Sequence, residues 1–294
     1  MEKLTVVTPA YNRAKELKTS YKALCNQTCK DFIWMIIDDG SEDSTEEVVK
    51  SWIKENNIDI VYIKQKNGGK YRAINTAIRN CTTEWFGFLD SDDYYLNSTV
   101  EKIYYYIDKI EKDDKIAGII ARRQKEDEKI VGSNIELKEG KINFNKLVQK
   151  YDFYGDTCRI YRHDILLKCM YPEEYPDKFI PESVMLSKID KDYDIYFVNE
   201  GFSVSEYLDN GYTSNYKKLL LNNVNGYFLA LKVQIESELR FTKKLRNTVV
   251  YICWGIHKNL DYKSNIHNKL LLYMCLPIAK MLILLKIPKW WYYD

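Results

Sequence analysis

The chain has 294 residues, 46% hydrophobic and 29% charged, with a net charge of +2. That is enough to bury a sizeable core as one large domain, or one domain with an appendage. So small a charge excludes a nucleic-acid binder working by bulk electrostatics. The seven cysteines show no CxxC pair and no Cys/His ligand spacing, so they are expected to be reduced and mostly buried, as in an intracellular protein. No charged-then-apolar leader precedes the first apolar run, and no secretory signal is expected. There is no internal repeat and no low-complexity tract.

Leu4–Thr8 is a β-branched run that reads as a buried strand ended by Pro9, with Pro9–Arg13 as the loop after it. Ala14–Gln27 reads as a helix carrying Leu17, Tyr21 and Leu24 on one face. Phe32–Ile37 is a second strand, followed by Asp38-Asp39-Gly40-Ser41-Glu42-Asp43-Ser44, where Ser44 suits the cap of a helix over Thr45–Glu55. Ile60–Ile63 is a third strand; Asn67-Gly68-Gly69-Lys70 then leads into a helix over Tyr71–Asn80. The fourth strand, Trp85–Leu89, stops abruptly at Asp90-Ser91-Asp92-Asp93. Strands alternating with helices through short connections imply a largely parallel, right-handed sheet. The polar loops then share the edge at which open α/β sheets bind ligands.

Each loop has chemistry suited to that edge. Crowded carboxylates repel and need a cation or shifted pKa values, and Mg²⁺ or Mn²⁺, which prefers oxygen ligands, fits them; an exposed acidic turn or helix cap is the plain alternative. Tyr11 suits stacking on a nucleobase, or packing. Arg13 suits a phosphate, or is a surface arginine. Asp39 suits accepting a base N–H, or merely forms the turn at Gly40. Asn67-Gly68-Gly69 permits positive φ and close backbone approach, and Lys70 adds charge at a helix N-terminus that favours anions.

Four segments together resemble the family 2 glycosyltransferases with a GT-A fold. They are Thr8–Arg13, Ile37–Ser44, Asn67–Lys70 with Ala73 and Asn75, and Phe88–Asp93. The resemblance covers roughly the first 100 residues, and is specific because four loops must coincide at one sheet edge. It implies a nucleotide-diphosphate sugar donor, with UDP the expected nucleotide. Pro9, Tyr11, Arg13 and Asp39 would hold base and ribose. Asn67, Gly69, Lys70, Asp90 and Ser91 complete the nucleotide-sugar site, with Asp90 nearer the ribose. Asp92 is the implied direct ligand of Mn²⁺ or Mg²⁺. Tyr71-Arg72 departs from the small residues common after the lysine, so a different sugar pocket is expected.

Further on, Lys102–Lys112 reads as a helix, Ile116–Ala121 as a strand, and Arg122–Gly140 as a solvated, charged connection. Gly155–Arg162 resembles the family's strand beneath the acceptor, and Tyr193–Asn215 its closing strand and loop. Glu182 follows Pro181, which favours an extended residue before it and a helix after it. The resemblance makes Glu182 the catalytic base; complementing that helix's dipole is the alternative, and Asp156 and His163 are runners-up. From Tyr216 the pattern is helical. Leu270–Ile287 is apolar but interrupted by Pro277 and Lys280, and ends in Lys286-Ile287-Pro288-Lys289-Trp290-Trp291-Tyr292-Tyr293, an interfacial signature. A monotopic helix on the inner face of the cell membrane is expected, with a helical subdomain or dimer interface as the alternative.

The expected organisation is an α/β GT-A domain over 1–215, with a nucleotide-binding half at 1–100 and an acceptor half at 101–215, then a helical appendage over 216–294. By resemblance, the expected activity is inverting transfer of a sugar to a saccharide or lipid-linked saccharide acceptor in cell-surface polysaccharide or glycoconjugate assembly. A metal-dependent nucleotidyltransferase and a non-catalytic nucleotide-sugar-binding protein are the alternatives; the first would carry a glycine-rich phosphate loop after its first strand, where this chain has Pro9-Ala10-Tyr11-Asn12-Arg13.

Overall fold

The computed structural model describes residues 3–205, 216–238, 240–264, 266 and 268–285. These form two compact units: one runs to Tyr171 and resumes at Asp192, and the other holds Pro172–Lys191 with the described residues from Tyr216 on. The expected Gly211–Asn215 and Lys286–Tyr293 segments lie outside the described residues.

In chain order the elements are β1 (Leu4–Ala10), α1 (Leu17–Cys25), β2 (Ile33–Asp38), α2 (Thr45–Glu55), β3 (Asp59–Lys64), α3 (Lys70–Asn80), β4 (Trp85–Phe88) and β5 (Asp93–Tyr95). There follow α4 (Thr99–Ile110), β6 (Ile116–Gln124), β7 (Glu139–Ile142), α5 (Phe144–Lys150), β8 (Thr157–Arg162), α6 (His163–Cys169), α7 (Ser183–Asp192) and β9 (Asp194–Ser205). The chain continues with α8 (Tyr216–Asn222), α9 (Val224–Ser237), α10 (Phe241–Lys258) and α11 (Lys269–Leu284).

Among the described residues nine strands join one sheet in the order β3-β2-β1-β4-β8-β6-β9-β5, with β7 paired to β9. The pairings make β1 to β4, β6 and β9 run one way, and β5, β7 and β8 the other. The sheet is therefore mixed but mostly parallel. Central strands read as unbroken apolar runs because helices cover them, and β1 and β2 are buried almost throughout. Tyr21 of α1 stacks on Trp52 of α2 at 4.3 Å, and Trp52 lies 5.9 Å from Trp34 of β2. These rings fasten both helices to one core, offset stacking adding to their area burial.

Pro9 does not end the first strand. It lies within β1 opposite Ile37, with Ala10 opposite Asp38. Pairing of β1 with β4 has stopped by then, at Val7 and Phe88, and a strand end tolerates a missing N–H. The expected helix from Ala14 begins at Leu17. Arg122–Gly140 is not wholly a solvated connection, because β6 continues to Gln124 with Arg122 fully buried. The Arg122 guanidinium donates to Val131 O at 2.7 Å, Ser133 O at 2.8 Å and Asn199 Oδ1 at 3.1 Å, so carbonyl groups compensate its burial. All seven cysteines are unpaired, five of them buried.

The second unit is helical. Its core stacks Phe228 on Tyr251 at 4.1 Å and sets Tyr227 edge-on to Trp254. The 177–179 segment is fastened to this unit: Asn223 Oδ1 accepts from Lys178 N and Phe179 N at 3.0 Å, and Asp177 Oδ2 accepts from Gly226 N at 2.6 Å. Helix α11 is apolar apart from Lys269 and Lys280. Leu271, Leu272, Cys275, Ala279 and Leu282 face the core, whereas Leu270, Tyr273, Met274, Ile278, Met281 and Leu285 are 48–73% exposed along one stripe. No helix among the described residues is long and apolar enough to cross a membrane.

Candidate active site

The site edge is built by latching loops together. Asn12, left-handed at φ 54°, donates its N–H to Ser41 Oγ at 2.9 Å and accepts from Glu42 N at 2.8 Å through its side-chain oxygen. Asparagine tolerates that conformation better than most residues. Arg13 N donates to Thr45 Oγ1 at 3.1 Å and Ala14 N to Asp43 Oδ2 at 3.1 Å. Asp38 is fully buried, accepting from Ser41 N at 2.7 Å and from the Tyr62 hydroxyl. It is part of the frame.

Asp39, next along, is 4% exposed and fixes the loop between β3 and α3. Its Oδ1 accepts from Gln65 Nε2 at 2.7 Å and Gly68 N at 2.8 Å, and its Oδ2 from Gly69 N at 2.7 Å. Asn67 Nδ2 donates to the Asp39 carbonyl at 2.9 Å. Two glycines are required here. Gly40 sits at φ +80° where a Cβ would lie 2.9 Å from Asn67 N, and Gly69 sits at φ +94° at the head of α3. A side chain at either position would be strained.

Leu89 N donates to Val7 O at 3.0 Å, carrying the chain to the edge, where Asp93 N donates to Asp90 O at 3.1 Å and closes a turn. The three acids of this turn differ in their partners. Asp90 pairs with Lys70 at 2.6 Å and with Arg123 at 3.2 Å. Asp93 pairs with Arg123 at 2.5 Å. Among the described residues no cation makes an ion pair with Asp92. Burial works against ionising Asp90, but Lys70 and Arg123 outweigh it and hold the group well below the usual carboxylate range. Burial raises Asp92, and the neighbouring Asp90 charge raises it further. Burial also pushes Asp93 up to about 7, with Asp90 and Asp92 adding to the shift and Arg123 opposing it.

Among the described residues no group of three or more His, Cys, Asp or Glu side chains is arranged to hold a metal ion. A hard ion held by one carboxylate, with diphosphate oxygens and water completing its shell, asks less of the protein. Asp92 fits that demand: it is the acid of the turn with which no cation among the described residues makes an ion pair.

Arg123 is the site residue that sequence reasoning missed. The available signal was its position two residues past the Ile116–Ala121 run, on a strand parallel to β4 and so ending at the same edge. Of the other expected residues, Tyr11 is 46% exposed, Ser91 is buried, and Pro9 is half-buried in β1. Arg13 makes a loose 3.9 Å contact with Glu16, a pair worth little at a surface. Lys70 begins α3. Tyr71 is 2% exposed and packs edge-on to Tyr171, with Arg72 over its ring at 4.6 Å. Asn75 is fully buried and clamps Tyr171, donating to its carbonyl at 2.9 Å and accepting from its N–H at 3.0 Å. His163 Nε2 lies 2.7 Å from Ile78 O, a structural bond, and Asp156 is exposed. Glu182 belongs to the helical unit. There it is exposed and opens α7, its carbonyl accepting from Met185 N and Leu186 N at 3.1 Å.

The mostly parallel mixed sheet, with acids gathered where β4 ends and helices following, has the GT-A architecture. The chain belongs to glycosyl transferase family 2, whose family model matches residues 5–169. It is 34% identical over 103 residues to glycosyltransferase GlyA of Streptococcus pneumoniae serotype 4, which is 35% of this chain and 15% of that protein. It spans between 14% and 34% of five Rickettsia glycosyltransferases that it also matches. S. aureus TarS 1–349 in complex with UDP-GlcNAc superposes with a TM-score of 0.64 at 17% identity, over 94% of this chain and 80% of that one. The mannosyltransferase PcManGT from Pyrobaculum calidifontis, in complex with GDP-Man and Mn²⁺, gives 0.56 at 14% identity, over 98% and 81%. At these identities the two solved structures speak to the fold.

Proposed function

We propose that this glycosyltransferase moves a sugar from a UDP-sugar to an acceptor hydroxyl with inversion, and that Asp92 holds the metal ion of the donor site. The observation carrying it is the sorting of the three acids: Asp90 and Asp93 are already paired with cations, whereas Asp92 is raised by burial and by Asp90. Bound there, Mn²⁺ or Mg²⁺ would act as a Lewis acid on charge developing at the leaving diphosphate. Lys70, which begins α3, and Arg13 would add positive charge towards it. Pro9 and Tyr11 border the base, and Asn67, Gly69 and Ser91 shape the wall around the diphosphate sugar. Glu182 takes the proton from the acceptor hydroxyl, which attacks the anomeric carbon opposite the nucleotide.

Asp39 supports the choice of nucleotide. A carboxylate offers about four acceptor positions, and three are taken by Gln65, Gly68 and Gly69. The one left suits the single N–H of uracil; guanine presents two adjacent donors that a carboxylate meets best with both oxygens. The test is nucleotide release from a panel of UDP- and GDP-sugars with and without Mn²⁺. Metal-dependent release from a UDP-sugar is expected, and release from GDP-sugars alone would overturn the assignment.

We also propose that the acceptor is a saccharide or lipid-linked saccharide used in cell-surface polysaccharide or glycoconjugate assembly, met at the inner face of the cell membrane. An apolar helical stripe is usually covered by protein or by lipid, and the outer stripe of α11 is exposed with Lys269 and Lys280 beside it. The residues following in sequence add two lysines, two tryptophans and two tyrosines, the composition favoured at interfaces. Anionic lipid complements that charge. Cosedimentation with phosphatidylglycerol-containing vesicles is expected. Burial of one such side chain is worth about 1.5–3 kcal/mol, so Met274→Glu with Ile278→Glu should weaken partition at least ~100-fold. Unchanged partition of that variant, or a stable dimer that it breaks apart, would reject lipid as the occupant of this stripe.

A further inference from the structure

Arg123 reaches two of the three acids of the turn. Its guanidinium reaches Asp93 Oδ2 from NH1 at 2.5 Å and Asp90 Oδ2 from NH2 at 3.2 Å, while Nε donates to Thr157 O on β8 at 3.1 Å. Its side chain is 14% exposed. The fork is thus held on three sides, two of them acids of the turn and the third the backbone of a neighbouring strand. Only arginine presents donors in a rigid plane wide enough to do this; lysine would place a single point charge.

Taking Asp92 as the metal-binding acid, we propose that Arg123 is a positioning residue of the donor site. It is the internal counter-ion that fixes Asp90 and Asp93 and leaves Asp92 as the acid presented to the metal and diphosphate. Three carboxylates within four residues repel one another. Without an internal cation, Asp90 and Asp93 would compete with Asp92 for any divalent ion and the turn would lose its shape. Arg123 also gives Asp90 a second partner besides Lys70. Lys70 can then turn to an incoming diphosphate without stranding a buried carboxylate.

A purely structural arginine, tying the end of β6 to β8, would account for the Thr157 bond but not for the two acids. The roles separate in a set of three variants: Arg123→Gln, Arg123→Lys, and Arg123→Gln combined with Asp93→Asn. The readouts are the melting temperature and Mn²⁺ affinity in the presence of UDP, followed by the paramagnetic resonance of free Mn²⁺. Arg123→Gln is expected to melt lower and to bind Mn²⁺ about 10–100-fold more weakly, the usual effect of losing a residue that orients a metal ligand. Arg123→Lys should fall between it and wild type. The double variant removes the stranded Asp93 charge and is expected to regain melting temperature without regaining Mn²⁺ affinity, because Asp90 is then left with Lys70 alone and loses that partner when Lys70 turns to the diphosphate. Recovery of both together would reduce Arg123 to a structural residue and overturn the proposal, as would wild-type Mn²⁺ affinity in Arg123→Gln. Wild-type protein that binds no Mn²⁺ with UDP would overturn the metal role of Asp92 and this inference together.

Discussion

Asp92→Ala is expected to lower sugar transfer by roughly 10²–10³-fold, the usual cost of removing one preorganised charge-stabilising element, and to remove the dependence of donor hydrolysis on Mn²⁺. The fold should survive. Asp92 is half-buried in a turn, and its ionised form is opposed first by burial and then by Asp90. The sign follows from linkage: a carboxyl whose pKa is higher folded than unfolded binds more protons in the folded state, so its contribution to stability falls as pH rises through the folded value. Above that folded value, in metal-free buffer, ionised Asp92 therefore burdens the folded chain. The alanine variant should melt at or above the wild-type temperature while losing activity. Calorimetry beside a nucleotide-release assay checks both; an active variant would remove Asp92 from the donor site, and an inactive one that melts much lower would point to folding.

The N-terminal half of the site was legible because its signals are local. A strand covered on both faces must read as an apolar run, and a polar loop after each of several parallel strands must reach the same edge. Hence Asp39, Gly69, Lys70 and Asp90–Asp93 fall together on one unit. Arg123 was not legible in the same way. A stretch rich in Lys and Glu reads as solvated, and composition cannot separate the two arginines near the end of a buried strand from the lysines and glutamates that follow it. Only the pairing of β8 between β4 and β6 brings Arg123 to the acids. The Asp39 donors were hidden for another reason: Gly68 and Gly69 act through backbone N–H groups, and the glycines announce flexibility, not the partner. Tyr71-Arg72 departs from the family pattern in sequence, but its difference is absorbed by packing against Tyr171 and Gly68. Pro9 misled because proline ends strands only where its missing N–H is needed.

Glu182→Gln is expected to lower turnover by roughly 10²–10⁴-fold, the range that general-base catalysis contributes, while leaving UDP-sugar affinity unchanged. The substitution keeps the size of the side chain, and the backbone carbonyl that accepts from Met185 N and Leu186 N at the start of α7 is untouched. A glutamate that only complements the α7 dipole contributes about 0.3–1 kcal/mol, which on a domain of this size moves the melting temperature by a few degrees and leaves turnover alone. The two roles therefore separate on different axes, one in kcat and the other in melting temperature. Tyr216 adds a further check within the same unit, since burial raises its hydroxyl and the Glu182 charge raises it more. Neutralising Glu182 should lower the Tyr216 pKa whether or not Glu182 is the base, so NMR titration of ring-labelled tyrosine, assigned with Tyr216→Phe, reports that the variant is folded around that position. Turnover near wild type in a variant showing the Tyr216 shift would exclude Glu182 and turn attention to Asp156, the exposed acid at the head of β8.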